Sequence, residues 1–283
     1  MIVETRARTP TAIAAAAAAR RRRPWLGGSA RLLIIAADHP ARGALAVADR
    51  PMAMANRFDL LDRILTALSR PGVDGVLGTA DVIEDLLLLG ALDGKLAVGS
   101  MNRGGLPGAA FEIDDRFTGY HARAIAASGL DGGKMLLRMD MDDPATPATL
   151  AACANAVSEL ASHRTIALIE PFIVRKVDGR VSNDLTPDAV IRSIAIASGL
   201  GTTSAYSWLK IPVVDDIERV AEASTLPTLL LGGETGDRPD EMFARWQKAL
   251  RLPGVLGLVV GRNLLYPPDD DVAAAVDIAA SLL

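Results

Sequence analysis

Short apolar runs recur along the chain, separated by longer segments with helical spacing. The runs are Leu32–Ala37, Gly75–Leu77, Leu96–Val98, Met135–Met139, Thr165–Ile169, Tyr206–Ile211, Thr228–Leu231 and Gly257–Val260. Between them, apolar positions return every three or four residues in Asn56–Ser69, Ala80–Leu89, Gly119–Ser128, Pro147–Ser162, Thr186–Gly199, Asp215–Ala223, Asp240–Leu250 and Asp271–Leu282. That period is the signature of helices with one apolar face. Strands apolar on both faces belong in a sheet covered on both sides, and their alternation with helices makes that sheet parallel. Eight such units in about 250 residues predict an α/β fold, a (β/α)8 TIM barrel formed as one domain over residues 1–283. A doubly wound open sheet is the competing fold. It would carry a glycine-rich turn after its first strand, and Ala37-Asp38-His39-Pro40 is nothing like one.

Residues 1–30 precede the first run and read as a helical extension. Thr11–Ala19 is rich in alanine, a strong helix former, and the helix should end near Pro24. The basic run Arg20–Arg23 follows the apolar segment, whereas a secretory signal carries its charge in front of it, so the run is expected to be a solvated face. No apolar stretch reaches the roughly 20 residues that span a bilayer. A net charge of −4 leaves no basic footprint for nucleic acid. One cysteine, Cys153, permits no intramolecular disulfide and fits a reducing compartment. One cysteine and three histidines also argue against a structural zinc site. A cytoplasmic protein that meets neither membrane nor nucleic acid is expected, and no metal or cofactor is implied.

In such a barrel the chemistry sits at the C-terminal ends of the strands. The first run ends in Asp38-His39, the fourth carries Lys134 and Arg138, and the fifth ends in Glu170-Pro171. The sixth carries Lys210 just before Pro212, the seventh ends in Gly232-Gly233-Glu234, and the eighth in Gly261-Arg262-Asn263. Strand side chains alternate faces. Asp38 therefore lies with Ile34, Glu170 with Leu168, Lys134 with Leu136 and Arg138, and Lys210 with Trp208 and Tyr206. If these are the inward faces, two acids and two lysines converge on one pocket with Arg138 nearby. As packing alone that would be expensive, because barrel interiors are filled by Val, Ile and Leu.

Those residue types suit imine chemistry. A lysine attacks a carbonyl only as the neutral amine, so its pKa must fall; Lys134 as a second cation and burial beside Trp208 and Tyr206 both push Lys210 that way. Glu170 and Asp38 could move the protons that carbinolamine dehydration and C–C cleavage require. Gly232, Gly233 and Gly261 allow close backbone approach, and Arg262 offers a forked cation, a combination that suits a phosphate. His39 could bind substrate or join the carboxylates on a metal. A metal-dependent aldolase or isomerase and a non-catalytic sugar-phosphate binding barrel are therefore the alternatives to an imine-forming enzyme.

With these residues in order the chain resembles the class I, Schiff-base aldolases of the (β/α)8 fold. It is most similar to tagatose-1,6-bisphosphate and sulfofructose-phosphate aldolases, and more distantly to deoxyribose-phosphate and archaeal-type fructose-bisphosphate aldolases. The resemblance runs from Leu32 to Leu283. It is carried by Asp38…Arg42-Gly43-Ala44-Leu45, Gly133-Lys134-Met135-Leu136-Leu137, Leu168-Ile169-Glu170-Pro171, Leu209-Lys210-Ile211-Pro212, Gly232-Gly233 and Val260-Gly261-Arg262-Asn263. It implies that Lys210 is the Schiff-base lysine, Lys134 the second active-site lysine, Glu170 the acid–base residue and Asp38 the first-strand aspartate. A sugar phosphate is the implied partner and a homo-oligomer the implied assembly. Asp-His-Pro-Ala-Arg-Gly is longer than the Asp-Gln-Arg-Gly of those relatives, and Ile-Pro follows Lys210 where they carry an extra residue. The chain also looks like an actinobacterial branch associated with inositol catabolism. That branch implies cleavage of 6-phospho-5-dehydro-2-deoxygluconate to dihydroxyacetone phosphate and malonate semialdehyde.

Overall fold

Eight parallel strands close into a barrel in the computed structural model, which describes residues 2–28, 31–177, 180–233 and 238–283. The eight are β1 (Leu32–Ala36), β2 (Gly75–Gly78), β3 (Leu96–Ser100), β4 (Gly132–Met139), β5 (Ile166–Val177), β7 (Ser207–Ile211), β8 (Thr228–Leu231) and β9 (Val255–Val260), with β6 (Arg180–Asn183) between β5 and β7 in the chain. Their order is β4-β3-β2-β1-β9-β8-β7-β5, and pairing of β4 with β5 closes the ring. Strand β6 stands outside it, antiparallel to the outer half of β5.

Helices α1 (Ile2–Arg8) and α2 (Thr11–Ala19) form the N-terminal extension. Around the barrel run α3 (Arg57–Ser69), α4 (Ala80–Leu88), α5 (Ala122–Ala127), α6 (Thr146–Ser162), α7 (Pro187–Ser198), α8 (Ile217–Ala221), α9 (Pro239–Ala249), α10 (Arg262–Leu265) and α11 (Val272–Ser281). Local chemistry sets several starts. The Asn56 side chain accepts from the N–H groups of Phe58 and Asp59 at 3.0 and 3.3 Å, capping α3. Thr186 caps α7, where Pro187 fills the first helical position. No helix among the described residues is long and apolar enough to cross a membrane.

Strand parity divides the core in two. Leu32, Ile34, Ala36, Leu77, Leu96, Val98, Leu168, Trp208, Leu229 and Val259 fill the barrel. Leu33, Ile35, Val76, Ala97, Ile169, Leu209, Leu258 and Val260 pack outward under the helices. Every apolar run named above lies on a barrel strand, and every segment with helical spacing contains a helix. The barrel therefore follows from the pattern of the chain. Helix α1 and the β5–β6 arm do not. Strand β5 does not stop at Pro171; it keeps register with β4 as far as Ile173 and then pairs with β6. Phe172 and Val174 hold this outer part against Leu136, Ile113 and Val181 at the barrel mouth.

The arginine run is a correction. It is a solvated face only in part: Arg21 and Arg22 are exposed, but Arg20 is buried and Arg23 half-buried, the backbone beyond α2 is extended, and each arginine meets an aspartate at the N-terminal rim of the barrel. Arg20 is buried and donates to the carbonyls of Lys95 and Gly129, each at 2.6 Å, and to Asp131 at 3.1 Å. Arg22 reaches the other oxygen of Asp131 at 3.1 Å, Arg21 pairs with Asp93 at 2.6 Å, and Arg23 pairs with Asp74. Asp74 and Asp131 also accept the N–H groups of Leu33 and Ala97, so the run is tied to the sheet itself. Arg20→Ala removes three bonds and half of the compensation of a buried carboxylate. It should cost about 2–4 kcal/mol, read as a lower urea midpoint at unchanged slope. Met1, Ser29 and Ala30 of the extension, and Glu234 after β8, lie outside the described residues.

Candidate active site

A cavity of about 350 Å³ opens at the C-terminal ends of the strands. Lys134 and Lys210 stand at its floor because both occupy inward positions of the two strands, β4 and β7, that flank β5. Between them on β5 is Glu170. Its Oε1 accepts from Lys210 Nζ at 2.7 Å, and its Oε2 pairs with Lys134. One carboxylate thus bridges two ammonium groups. On its other side Lys134 Nζ lies 3.4 Å from Asp38 Oδ2. Asp38 is itself buried; it accepts from Ser100 Oγ at 2.9 Å and pairs with Arg103, whose Nε donates to the same Ser100 hydroxyl at 3.0 Å.

These groups shift one another. Burial, with Arg103 and Arg262 adding to it, holds the Lys210 ammonium below an ordinary lysine despite the opposing pull of Glu170. The same causes, burial first and then Arg103, bring Lys134 well below its usual range. Burial would raise Glu170, but Lys134 and Lys210 outweigh it and keep the carboxyl well below the usual carboxylate range. Burial and the nearby Arg262 and Lys210 lower His39 as well, so at neutral pH its imidazole is uncharged. The floor therefore offers a fixed carboxylate between two lysines that give up protons easily.

Gly232, Gly233, Gly261, Arg262 and His39 line the β8–β9 side of the cavity. Two glycines are demanded there. Gly233 has φ of 77°, and a Cβ on Gly261 would stand 2.2 Å from the Ala36 carbonyl oxygen. Arg138 lines the β3–β4 side, where Asp115 grips it through two bonds of 2.8 and 2.7 Å and Glu112 lies 3.5 Å away.

Ten of the eleven residues singled out from the sequence thus line this one cavity. Trp208 does not. It shares a face with Lys210 but lies two residues earlier, about 6.6 Å deeper along the strand. Its ring packs edge-on against Trp25 at 5.6 Å, in the apolar layer at the barrel's base. Tyr206 precedes β7 altogether, so of the two aromatics only Trp208 shares the barrel interior with Lys210. Ser100, Arg103 and Arg42 also contribute and carried no assigned role in the sequence. Ser100 was detectable: after Leu96 and Val98 it is the next inward position of β3, and it is polar. Among the described residues no group of three or more His, Cys, Asp and Glu is placed to hold a metal ion.

Comparison with known proteins gives two kinds of likeness. Residues 30–280 match the family model described as Cgl0159-like. The solved structure of Cgl0159 from Corynebacterium glutamicum (Brevibacterium flavum) is 58% identical, covers 98% of this chain and 94% of its own, and superposes with a TM-score of 0.96. An archaeal fructose-1,6-bisphosphate aldolase, solved with its catalytic Lys bound to the carbinolamine intermediate, is 18% identical over 89% of this chain and 94% of its own, with a TM-score of 0.68. The fructose-bisphosphate aldolase of Slackia heliotrinireducens is 16% identical over 90% of this chain and 86% of its own, with a TM-score of 0.62. The two aldolases share the barrel. No curated protein matches the chain.

Proposed function

The chain belongs to the Cgl0159-like family, and we propose that it is a class I aldolase that cleaves a phosphorylated keto-sugar or sugar acid through an imine on Lys210. The observation that carries this reading is the Lys210–Glu170–Lys134 bridge at the floor of a cavity lined, among the described residues, by six cationic side chains against three carboxylates. A purely structural ion pair would not need a cavity above it or a second lysine on the same carboxylate. An imine-forming enzyme needs both, one amine to attack and a charge to keep that amine neutral.

In this reading a substrate's phosphate sits against Gly233, Gly261 and Arg262, and its carbonyl faces Lys210. Lys210 adds to the carbonyl carbon as the neutral amine, and Glu170 carries the proton between the amine and the departing hydroxyl as water leaves. The protonated imine then draws the bonding electrons of the adjacent C–C bond as the next hydroxyl loses its proton. Glu170 takes the proton of that hydroxyl and the aldehyde leaves. The enamine left on Lys210 is then protonated at carbon to give an imine again, and hydrolysis of that imine frees Lys210. Asp38, fixed by Ser100 and Arg103, holds Lys134 beside the reacting groups. The finer reading rests on the resemblance described above: the substrate is 6-phospho-5-dehydro-2-deoxygluconate and the products are dihydroxyacetone phosphate and malonate semialdehyde.

Dihydroxyacetone phosphate alone tests the reaction class. The enzyme should exchange one C3 hydrogen of this ketone with solvent deuterium, followed by NMR, and a chelator should leave the exchange unchanged. Loss of exchange with chelator would instead favour the metal-dependent alternative. Because Lys210 lies below the 10.5 of an ordinary lysine, borohydride trapping of the ketone should rise with pH and level off with a midpoint under 10.5. A midpoint at or above that value would mean that the pocket does not free the amine.

A further inference from the structure

Arg103 extends the floor of the cavity into a row of five charges: Arg103, Asp38, Lys134, Glu170 and Lys210, each cation touching the carboxylate beside it. The signs alternate, and the row begins and ends on a cation. Three positive charges therefore meet two negative ones, and every member of the row is buried. Other carboxylates do not restore the balance. Of those that line the cavity among the described residues, Glu112 lies by Arg138, which leaves only Asp38 and Glu170 to the row. Arg262 at the end of β9 and Arg42 in the turn after β1 are further cations, and His39 beside Asp38 is uncharged at neutral pH. An unmatched charge held out of water is costly, so the row is relieved when one cation gives up its proton. That cation is not Arg103. Burial brings even this guanidinium down, to about 10, but it keeps its charge at neutral pH. Within the row only a lysine can lose the proton.

Arg103 is fixed in place from several sides. Asn102, just before it, is buried; its Oδ1 accepts the N–H of Leu136 at 2.7 Å, and its Nδ2 donates to the Leu136 carbonyl at 2.6 Å. The loop after β3 is thereby laced to β4 two residues beyond Lys134. The Arg103 N–H donates to Thr118 Oγ1 at 3.3 Å, and its Nε donates to Ser100 Oγ at 3.0 Å. Ser100 donates in turn to Asp38 at 2.9 Å, so guanidinium and carboxylate are held to one hydroxyl.

We infer that Arg103 is the positioning residue that frees an amine: by neutralising Asp38 it leaves two lysines to share the single charge of Glu170. The two lysines and Glu170 then titrate as one unit. A proton passed through Glu170 from Lys210 to Lys134 leaves Lys210 neutral. The charge count stands by itself, whereas the use of the free amine in imine formation rests on the aldolase reading.

The test reads the protons on the lysines directly. The chain has five lysines, Lys95, Lys134, Lys176, Lys210 and Lys248, so lysine labelled with carbon-13 at the ε-carbon gives an NMR spectrum simple enough to titrate. Lys134→Met and Lys210→Met assign the two signals. In the unmodified full chain the pair should lose its first proton below the 10.5 of an ordinary lysine. Arg103→Met balances the row and should raise that step by about one pH unit or more. Asp38→Asn leaves two cations in excess and should lower it. The double variant is again one cation in excess, and its step should return close to that of the unmodified protein. A purely structural pair would lose stability in all three variants without shifts of opposite sign that cancel. An unchanged or lower step in Arg103→Met would overturn the inference, and so would a double variant that stays with Arg103→Met. Should Arg103→Met not fold, Asp38→Asn decides alone, and an unchanged or higher step there overturns it. Failure of the aldolase reading shows separately, as absence of hydrogen exchange on dihydroxyacetone phosphate by the unmodified protein.

Discussion

Lys210→Ala should abolish the borohydride-stable adduct with dihydroxyacetone phosphate and lower aldol cleavage by about 10³-fold or more, the scale of losing a covalent nucleophile. In the unmodified protein, peptide mass mapping should place the reduced three-carbon adduct on the peptide that contains Lys210. The competing site is Lys134, a second buried lysine only one carboxylate away. Contacts separate the two. Lys134 is pinched between Glu170 and Asp38 with 1% of its side chain exposed, while Lys210 pairs, among the described residues, with Glu170 alone. Adding to a carbonyl requires Nζ to leave its partner, and Lys210 has one partner to leave where Lys134 has two. The variant should still fold, because Glu170 keeps Lys134 as a counterion when Lys210 is gone. An adduct on Lys134 in the unmodified protein would reverse the two roles. A variant that retains full activity would remove imine chemistry from the site.

The barrel and most of this floor were legible in the chain for the same reason. A strand buried on both faces must be apolar at every position, so a lysine or glutamate inside such a run is conspicuous. Lys134, Glu170 and Lys210 stand out in that way, and parity alone places them together. The same reasoning misjudged Trp208. Parity says which face a residue takes but not how deep it lies, and two residues of strand separate a ring at the base from an amine at the mouth. The arginine run failed for another reason. A block of like charge is usually solvated, and its aspartate partners Asp74, Asp93 and Asp131 are scattered over about 60 residues, where no local pattern connects them. Arg42 stands in the first-strand motif but lies beyond the strand end, where the period of two does not say which way a side chain points.

Glu170→Gln should separate the two stages of the reaction. The amide has nearly the shape of the carboxylate and can still hydrogen-bond one lysine, but it carries no charge and relays no proton. Cleavage should fall by about 10²- to 10⁴-fold, the usual worth of a positioned acid–base group. Imine formation should behave differently. Glu170 is the charge that opposes burial at Lys210; with it gone, burial, Arg103 and Arg262 act without opposition. The Lys210 ammonium should lose its proton more easily, and the midpoint for borohydride trapping should move to lower pH than in the unmodified protein. Lower turnover with an earlier trapping midpoint is the combined signature. If Glu170 were only a counterion of the fold, Glu170→Asp would restore turnover wherever it restored thermal stability. If instead Glu170 moves the proton, the shorter carboxylate should recover stability and the trapping midpoint while turnover stays well below that of the unmodified protein, because its oxygens stand about one carbon short of the reacting atoms. Both variants would be followed by thermal unfolding, the trapping profile and single-turnover cleavage on one preparation. Parallel recovery of all three in Glu170→Asp would return Glu170 to a purely structural role.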